Sequence, residues 1–193
     1  MNSPMNNDML PDIFEQLPDD ADVWIYAASS ALEPDAAAAL ERALDELVSA
    51  WSSHGRRVLG AHTLLDTRVV IVGAYVPDGT ISGCGIDKSL HVLDEVAAEH
   101  GFDWADGLSI VYRASADRLA VCSRSEFRER AASGSVDTGT PVIDLSTRRL
   151  GDLRSNGIER PAGRTWHARV FDLKTVADGS VAGNDSTRLL SPS

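Results

Sequence analysis

The run Arg68-Val69-Val70-Ile71-Val72-Gly73-Ala74-Tyr75-Val76 constrains this chain more than any other stretch. It is apolar almost without alternation and rich in β-branched residues. A strand of that kind has no face to give to water, so it must be covered on both sides. Asp66-Thr67 just before it reads as a turn, and Leu59 to Thr67 reads as the strand that pairs with it in a hairpin.

The remaining periodicity supplies helices for one side of that hairpin. Leu40, Leu44, Leu47 and Trp51 fall at i, i+4, i+7 and i+11, the apolar stripe of a helix. Pro34 and Asp35 suit its first turn, and Gly55 lies beyond its end. Leu90, Leu93, Val96 and Ala97 mark a second helix from Ser89 to His100, with Asp87 as its N-cap and Gly101 after it. Val23 to Ala27 and Ser109 to Arg113 read as strands, and Arg118 to Cys122 as a short further one.

The order strand, helix, strand, strand, helix, strand is that of an α+β, ferredoxin-like βαββαβ fold. Its antiparallel sheet would run in the order 4-1-3-2, with both helices on one face. Four segments follow from this: a mobile arm over 1–21, the ferredoxin-like core over 22–122, a C-terminal extension over 123–171 that packs on the core, and a loose tail over 172–193. Within the extension, Ser125 to Ala132 reads as a helix closed by Gly134, and Pro141 to Leu145 as a strand. The stretch 146–165 is rich in Arg, Gly and Ser with little pattern, and Trp166 to Phe171 is a last apolar anchor. The second face of the Val69 to Val76 strand is expected to lie under residues after Ser123 or under a symmetric partner, as in a homodimer.

Composition excludes several functions. The chain has 193 residues and a net charge of -11, and Lys88 and Lys174 are its only lysines. Nucleic-acid binding rests on phosphate contacts to Lys and Arg, so neither nucleic acid nor an anionic membrane is an expected partner. Acidity with few lysines points to a halophilic, salt-adapted source. No apolar run approaches the roughly 20 residues of a membrane span, and the first residues lack a secretory core. Two cysteines, Cys84 and Cys122, make no disulfide framework, and the cytoplasm is the expected setting. His54, His62, His91, His100 and His167 show no zinc spacing, so no metal is expected, and no motif calls for a cofactor. Neither a Gly-x-Ser-x-Gly elbow nor a Gly-x-Gly-x-x-Gly dinucleotide turn is present.

Thr80-Ile81-Ser82-Gly83-Cys84-Gly85-Ile86-Asp87-Lys88-Ser89 is the densest cluster of turn and reactive residues. Its Lys-Ser ending lacks the spacing of a phosphate loop. In the expected topology it meets the end of the first helix, bringing Trp51, His54 and Gly55 beside Cys84 and Asp87. Arg113 arrives there on the fourth strand. Ser82, Gly83, Gly85, Asp87, Ser89 and Arg113 then form a candidate site for a small anion at a helix N-terminus. Cys84 is the candidate nucleophile and His54 the candidate base. The same residues also have plain structural roles: glycine for the turn, Asp87 for the cap, His54 for the helix end.

Trp24-Ile25-Tyr26, Trp51-Ser52-Ser53-His54-Gly55, the Ser82 to Ser89 stretch and Trp166-His167-Ala168-Arg169 together resemble a family of small uncharacterised bacterial proteins. That family is found mainly in the Bacteroidetes and their relatives, and its members often carry the label "ABC transporter ATPase". The resemblance covers roughly 23–171 and departs at Gly85, where relatives are expected to carry serine. It implies ATP hydrolysis, which the residues do not support, since no phosphate loop and no apolar strand ending in Asp-Glu is present. The expected function is a ligand-binding or protein-interaction module, for a small anionic ligand or a protein partner. The alternative is an enzyme centred on Cys84.

Overall fold

The computed structural model describes residues 10–175 apart from 54, 78, 80 and 82, with the backbone alone for 83–89. After a 3-10 turn, Asp12–Gln16, the chain forms β1 (Asp22–Ala27) and α1 (Pro34–Ala50). A small hairpin follows, β2 (Ser52–Ser53) with β3 (Arg56–Arg57), then β4 (Leu59–Leu65), β5 (Val69–Tyr75) and α2 (Gly83–His100). The second half contains β6 (Ile110–Ser115), β7 (Arg118–Cys122), α3 (Arg124–Ser133) and β8 (Pro141–Ile143). It ends with α4 (Leu150–Asn156), β9 (Glu159–Pro161), a 3-10 turn Ala162–Arg164 and α5 (His167–Val170).

The fold is α+β with antiparallel sheets. One sheet has the order β1-β5-β4 and the other β7-β6-β8-β9. The central position of β5 is what its unbroken apolar sequence demands, and its two faces are buried by different partners. Val70, Val72 and Ala74 pack with Leu40 and Leu44 of α1 and with Leu93 and Val96 of α2. Val69 and Ile71 pack with Val111, Leu119 and Ile143 of the second sheet and with Leu150 and Leu153 of α4. The outer face of that sheet, with Ile110, Tyr112 and Val142, is covered by Phe127, Ala131 and Phe171. The layers are therefore helix, sheet, sheet, helix, with three apolar clusters between them.

The first three sequence-expected strands pair in the relative order 1-3-2, and both long helices share one face. The strand expected fourth does not complete an order 4-1-3-2 on the edge of β1. Ile110–Ser115 ladders instead to β7 and β8. Residues 110–112 are buried on both faces, so this strand needs a sheet of its own with cover above and below. The outer edge of β1 is bridged at its two ends by other segments, Asp22 to Arg149 and Ala28 to Trp104.

Of the expected mobile arm over 1–21, the described residues 10–21 are packed against the core. Phe14 is 1% and Leu17 2% exposed, and both sit over Gly73, where a β-carbon would lie 2.9 Å from Phe14. A glycine inside a strand weakens the strand, and here it provides a close approach for another segment.

Helix α2 begins at Gly83, six residues before the expected start at Ser89, so Asp87 is inside the helix and is not its cap. Glycine's helix penalty, about 1 kcal/mol per residue, is a weak signal that tertiary context overrides. Helix α3 ends at Gly134 as expected, at φ 76°, and starts on a capping box in which Ser123 and Glu126 bond reciprocally.

Candidate anion-binding site

Ser82 and His54 lie outside the described residues, as do the side chains of Cys84, Asp87 and Ser89, and Gly83 and Gly85 are placed by backbone alone. By backbone, Cys84 is in the first turn of α2, and β2, which leads to His54, packs against α2. Arg113 does not join them. Its guanidinium forks onto both carboxylate oxygens of Glu159, with Nε 3.0 Å from Oε2, and Nη1 bonds Asp66. Asp66 is in the β4–β5 turn, at the opposite end of β5 from α2. The guanidinium is thus committed to two carboxylates and ties the first sheet to the second.

A substantial concavity lies elsewhere. It is a cleft of about 820 Å³ at the end of β8, closed by the segment from Arg160 to Arg169. This is within the size range of small-ligand sites. The chain enters it as β8 gives way to Asp144-Leu145-Ser146. Oδ1 of Asp144 accepts from the Ser146 N–H at 3.0 Å, from the Ser146 hydroxyl at 2.6 Å and from the Trp166 indole N–H at 3.0 Å. The opposite wall is anchored by two backbone bonds, Ala162 N–H to Thr140 O and Gly163 N–H to Thr138 O, each 2.9 Å. Gly163 permits this approach, because a β-carbon there would meet Thr138 at 2.9 Å.

The floor is aromatic. The Trp166 and His167 rings stack with centroids 3.9 Å apart, and Phe127 and Phe171 pack around His167, which is 1% exposed. Thr165 Oγ1 donates to Ala162 O at 3.0 Å and lies 2.7 Å from His167 Nδ1. With the hydroxyl proton committed to Ala162, a neutral His167 carries its own proton on Nδ1 and donates it to Thr165. Burial pushes the imidazole pKa down to about 4; Asp144 works against that shift, and the positive charge of Arg124 adds to it. His167 is therefore an uncharged part of the wall at neutral pH.

Four arginines complete the lining: Arg124, Arg160, Arg164 and Arg169, against one carboxylate, Asp144. Arg124 stands over the Trp166 ring at 5.2 Å. Arg160 is steadied by Nη2 donating to Arg164 O at 3.1 Å. Among the described residues none of the four pairs with a carboxylate, whereas Arg113, Arg149 and Arg154 all do. In a chain of net charge -11, that is a local reversal of sign.

Sequence reasoning singled out Trp166-His167-Ala168-Arg169 as an anchor and as part of a resemblance, but did not place it in a site. Arg124, Asp144, Arg160 and Arg164 are spread over forty residues, and nothing in their spacing signals that they converge. Among the described residues no three or more of His, Cys, Asp and Glu gather as metal ligands do. Nor is any described helix long and apolar enough to cross a membrane. Comparison of the chain with protein-family models, curated proteins and solved structures found no match.

Proposed function

We propose that the protein is a binding module that takes a small anionic ligand in the arginine-lined cleft. The observation that carries this reading is the convergence of Arg124, Arg160, Arg164 and Arg169, free of carboxylate partners among the described residues, on one cavity of an acidic chain. Guanidinium groups bind carboxylates and phosphates through paired N–H donors, and four of them favour a multiply charged anion. The acidic remainder of the surface repels long polyanions, so the ligand is small and the partner is not nucleic acid.

The reading is binding without covalent chemistry. The hydroxyls of the lining are engaged: Ser109 donates to Asp106, Ser146 to Asp144 and Thr165 to Ala162. The carboxylates beside Ser109 and Ser146 also hold backbone or indole N–H groups, and His167 Nδ1 beside Thr165 donates to it rather than accepting its proton. A cytoplasmic setting fits the buried free thiol of Cys122, whose pKa burial raises.

The test is thermal stabilisation by a panel of anions. Phosphate and citrate are expected to raise the melting temperature in a saturable way at fixed ionic strength. An Arg124→Gln, Arg164→Gln double variant, which melts as the parent does without ligand, is expected to lose the effect. A rise that is unsaturable, or equal in the variant, refutes the assignment.

A further inference from the structure

The outer edge of β1 is interrupted beside the arginine cleft. Even-numbered residues of β1 turn their N–H and C=O groups to β5, and Ala28 N–H continues that series to Arg68 O. Odd-numbered residues therefore turn theirs outward. At one end Val23 N–H donates to Arg148 O at 3.0 Å and Ala21 O accepts from Leu150 N–H at 3.0 Å. At the other end Ala27 O accepts from Ala105 N–H and Ser29 N–H donates to Asp103 O, both at 2.8 Å. Between these bridges the outward N–H and C=O of Ile25 have no partner among the described residues, although Ile25 is 6% exposed. Leaving both groups unbonded in a nearly buried position carries a desolvation cost.

A cavity of about 280 Å³ opens there, lined by Ile25, Ala27, Ala105 and Arg148. It shares Gly107, Leu145 and Ser146 with the arginine cleft, so the two adjoin. The gap in the ladder is only about three residues long, and chain occupies the edge on either side. An extended peptide has no room to run through it. A flat ring entering edge-on does, and the Ile25 pair asks that ring for one acceptor beside one donor. The same molecule must carry a multiply charged anion into the arginines.

Resting on the anion-binding reading above, we infer that the ligand is a nucleoside phosphate. Its base edge bonds the Ile25 N–H and C=O, and its phosphate lies among Arg124, Arg160 and Arg164. Every natural base offers an adjacent donor and acceptor, so the backbone pair selects for a base over none, and the walls of the smaller cavity choose among bases.

The experiment titrates the full chain with inorganic phosphate, ribose 5-phosphate and the four ribonucleoside monophosphates, following affinity by calorimetry and the Ile25 amide by NMR. At least one nucleotide is expected to bind about tenfold or more tighter than ribose 5-phosphate, the return on two net hydrogen bonds. The Ile25 amide resonance is expected to move with that nucleotide and stay in place with ribose 5-phosphate. Equal affinities, or an Ile25 amide that no nucleotide moves, overturn this inference and leave the anion site standing. Failure of every compound to bind overturns both.

Discussion

Replacing Arg113 with alanine is expected to be among the most damaging single changes in the protein. The side chain is 10% exposed and its two partners, Glu159 and Asp66, are 12% and 25% exposed. Their bonds lift the guanidinium pKa further above its ordinary value, the Glu159 bond most of all. Removing one partner of a buried pair costs about 3–5 kcal/mol, because the remaining charge is stranded. Asp66 retains some access to water, which sets the expectation at about 3–4 kcal/mol. For a chain of this length, each kcal/mol moves the melting temperature by about 2–4 °C, so a fall of about 10 °C follows. Arg113→Lys keeps the charge but not the fork, and should fall between the two. A triple variant, Arg113→Met with Glu159→Gln and Asp66→Asn, strands no charge and should regain most of the loss. Chemical denaturation with one optical probe in each sheet measures all three. A loss under about 1 kcal/mol for Arg113→Ala, or a triple variant as unstable as the single, would refute the reasoning.

Three further outcomes follow from the packing and the charge. Gly73→Ala pushes a β-carbon to within 2.9 Å of Phe14 and 3.0 Å of Leu17, and should cost about 1–3 kcal/mol while opening the segment before β1 to proteolysis; an unchanged cleavage rate counts against the socket. His167 has its folded pKa lowered to about 4, so the unfolded chain takes up a proton near pH 6.5 that the folded chain refuses, and stability falls as pH drops between those values. His167→Gln should flatten that limb, and an identical pH profile would contradict the neutral, buried imidazole. With a net charge of -11, the melting temperature should rise from dilute buffer to molar potassium chloride as self-repulsion is screened, whereas indifference to salt would sink the halophilic reading.

What the sequence made legible was local or periodic. The stripe of Leu40, Leu44 and Trp51, the hairpin turn at Asp66-Thr67 and the helix stop at Gly134 each depend on residues within a few turns of one another. The double burial of β5 was legible because a strand with no polar face admits one interpretation. The partner of β6 was not. Ile110-Val111-Tyr112 satisfies either sheet by pattern, and the decision rests on where Trp104 and Arg149 meet the edge of β1. Phe14 and Leu17 were hidden in a short polar stretch, and only Gly73, sixty residues away, explains their burial. The arginine cleft was the least legible feature. Its residues come from α3, β9, the 3-10 turn Ala162–Arg164 and α5, and β9 and that turn fall in the stretch 146–165 that carries little pattern.

The most direct test of the arginine cleft as the binding site uses the Trp166 indole N–H, which donates to Asp144 inside it. Trp24, Trp51 and Trp104 lie in the apolar cluster between the first sheet and its helices, and serve as internal controls. In an NMR titration with phosphate at constant ionic strength, the Trp166 indole resonance is predicted to shift along a saturating one-site curve while the other three hold their positions. A Trp166 resonance that stays in place, or four resonances that drift together without saturation, would contradict the account.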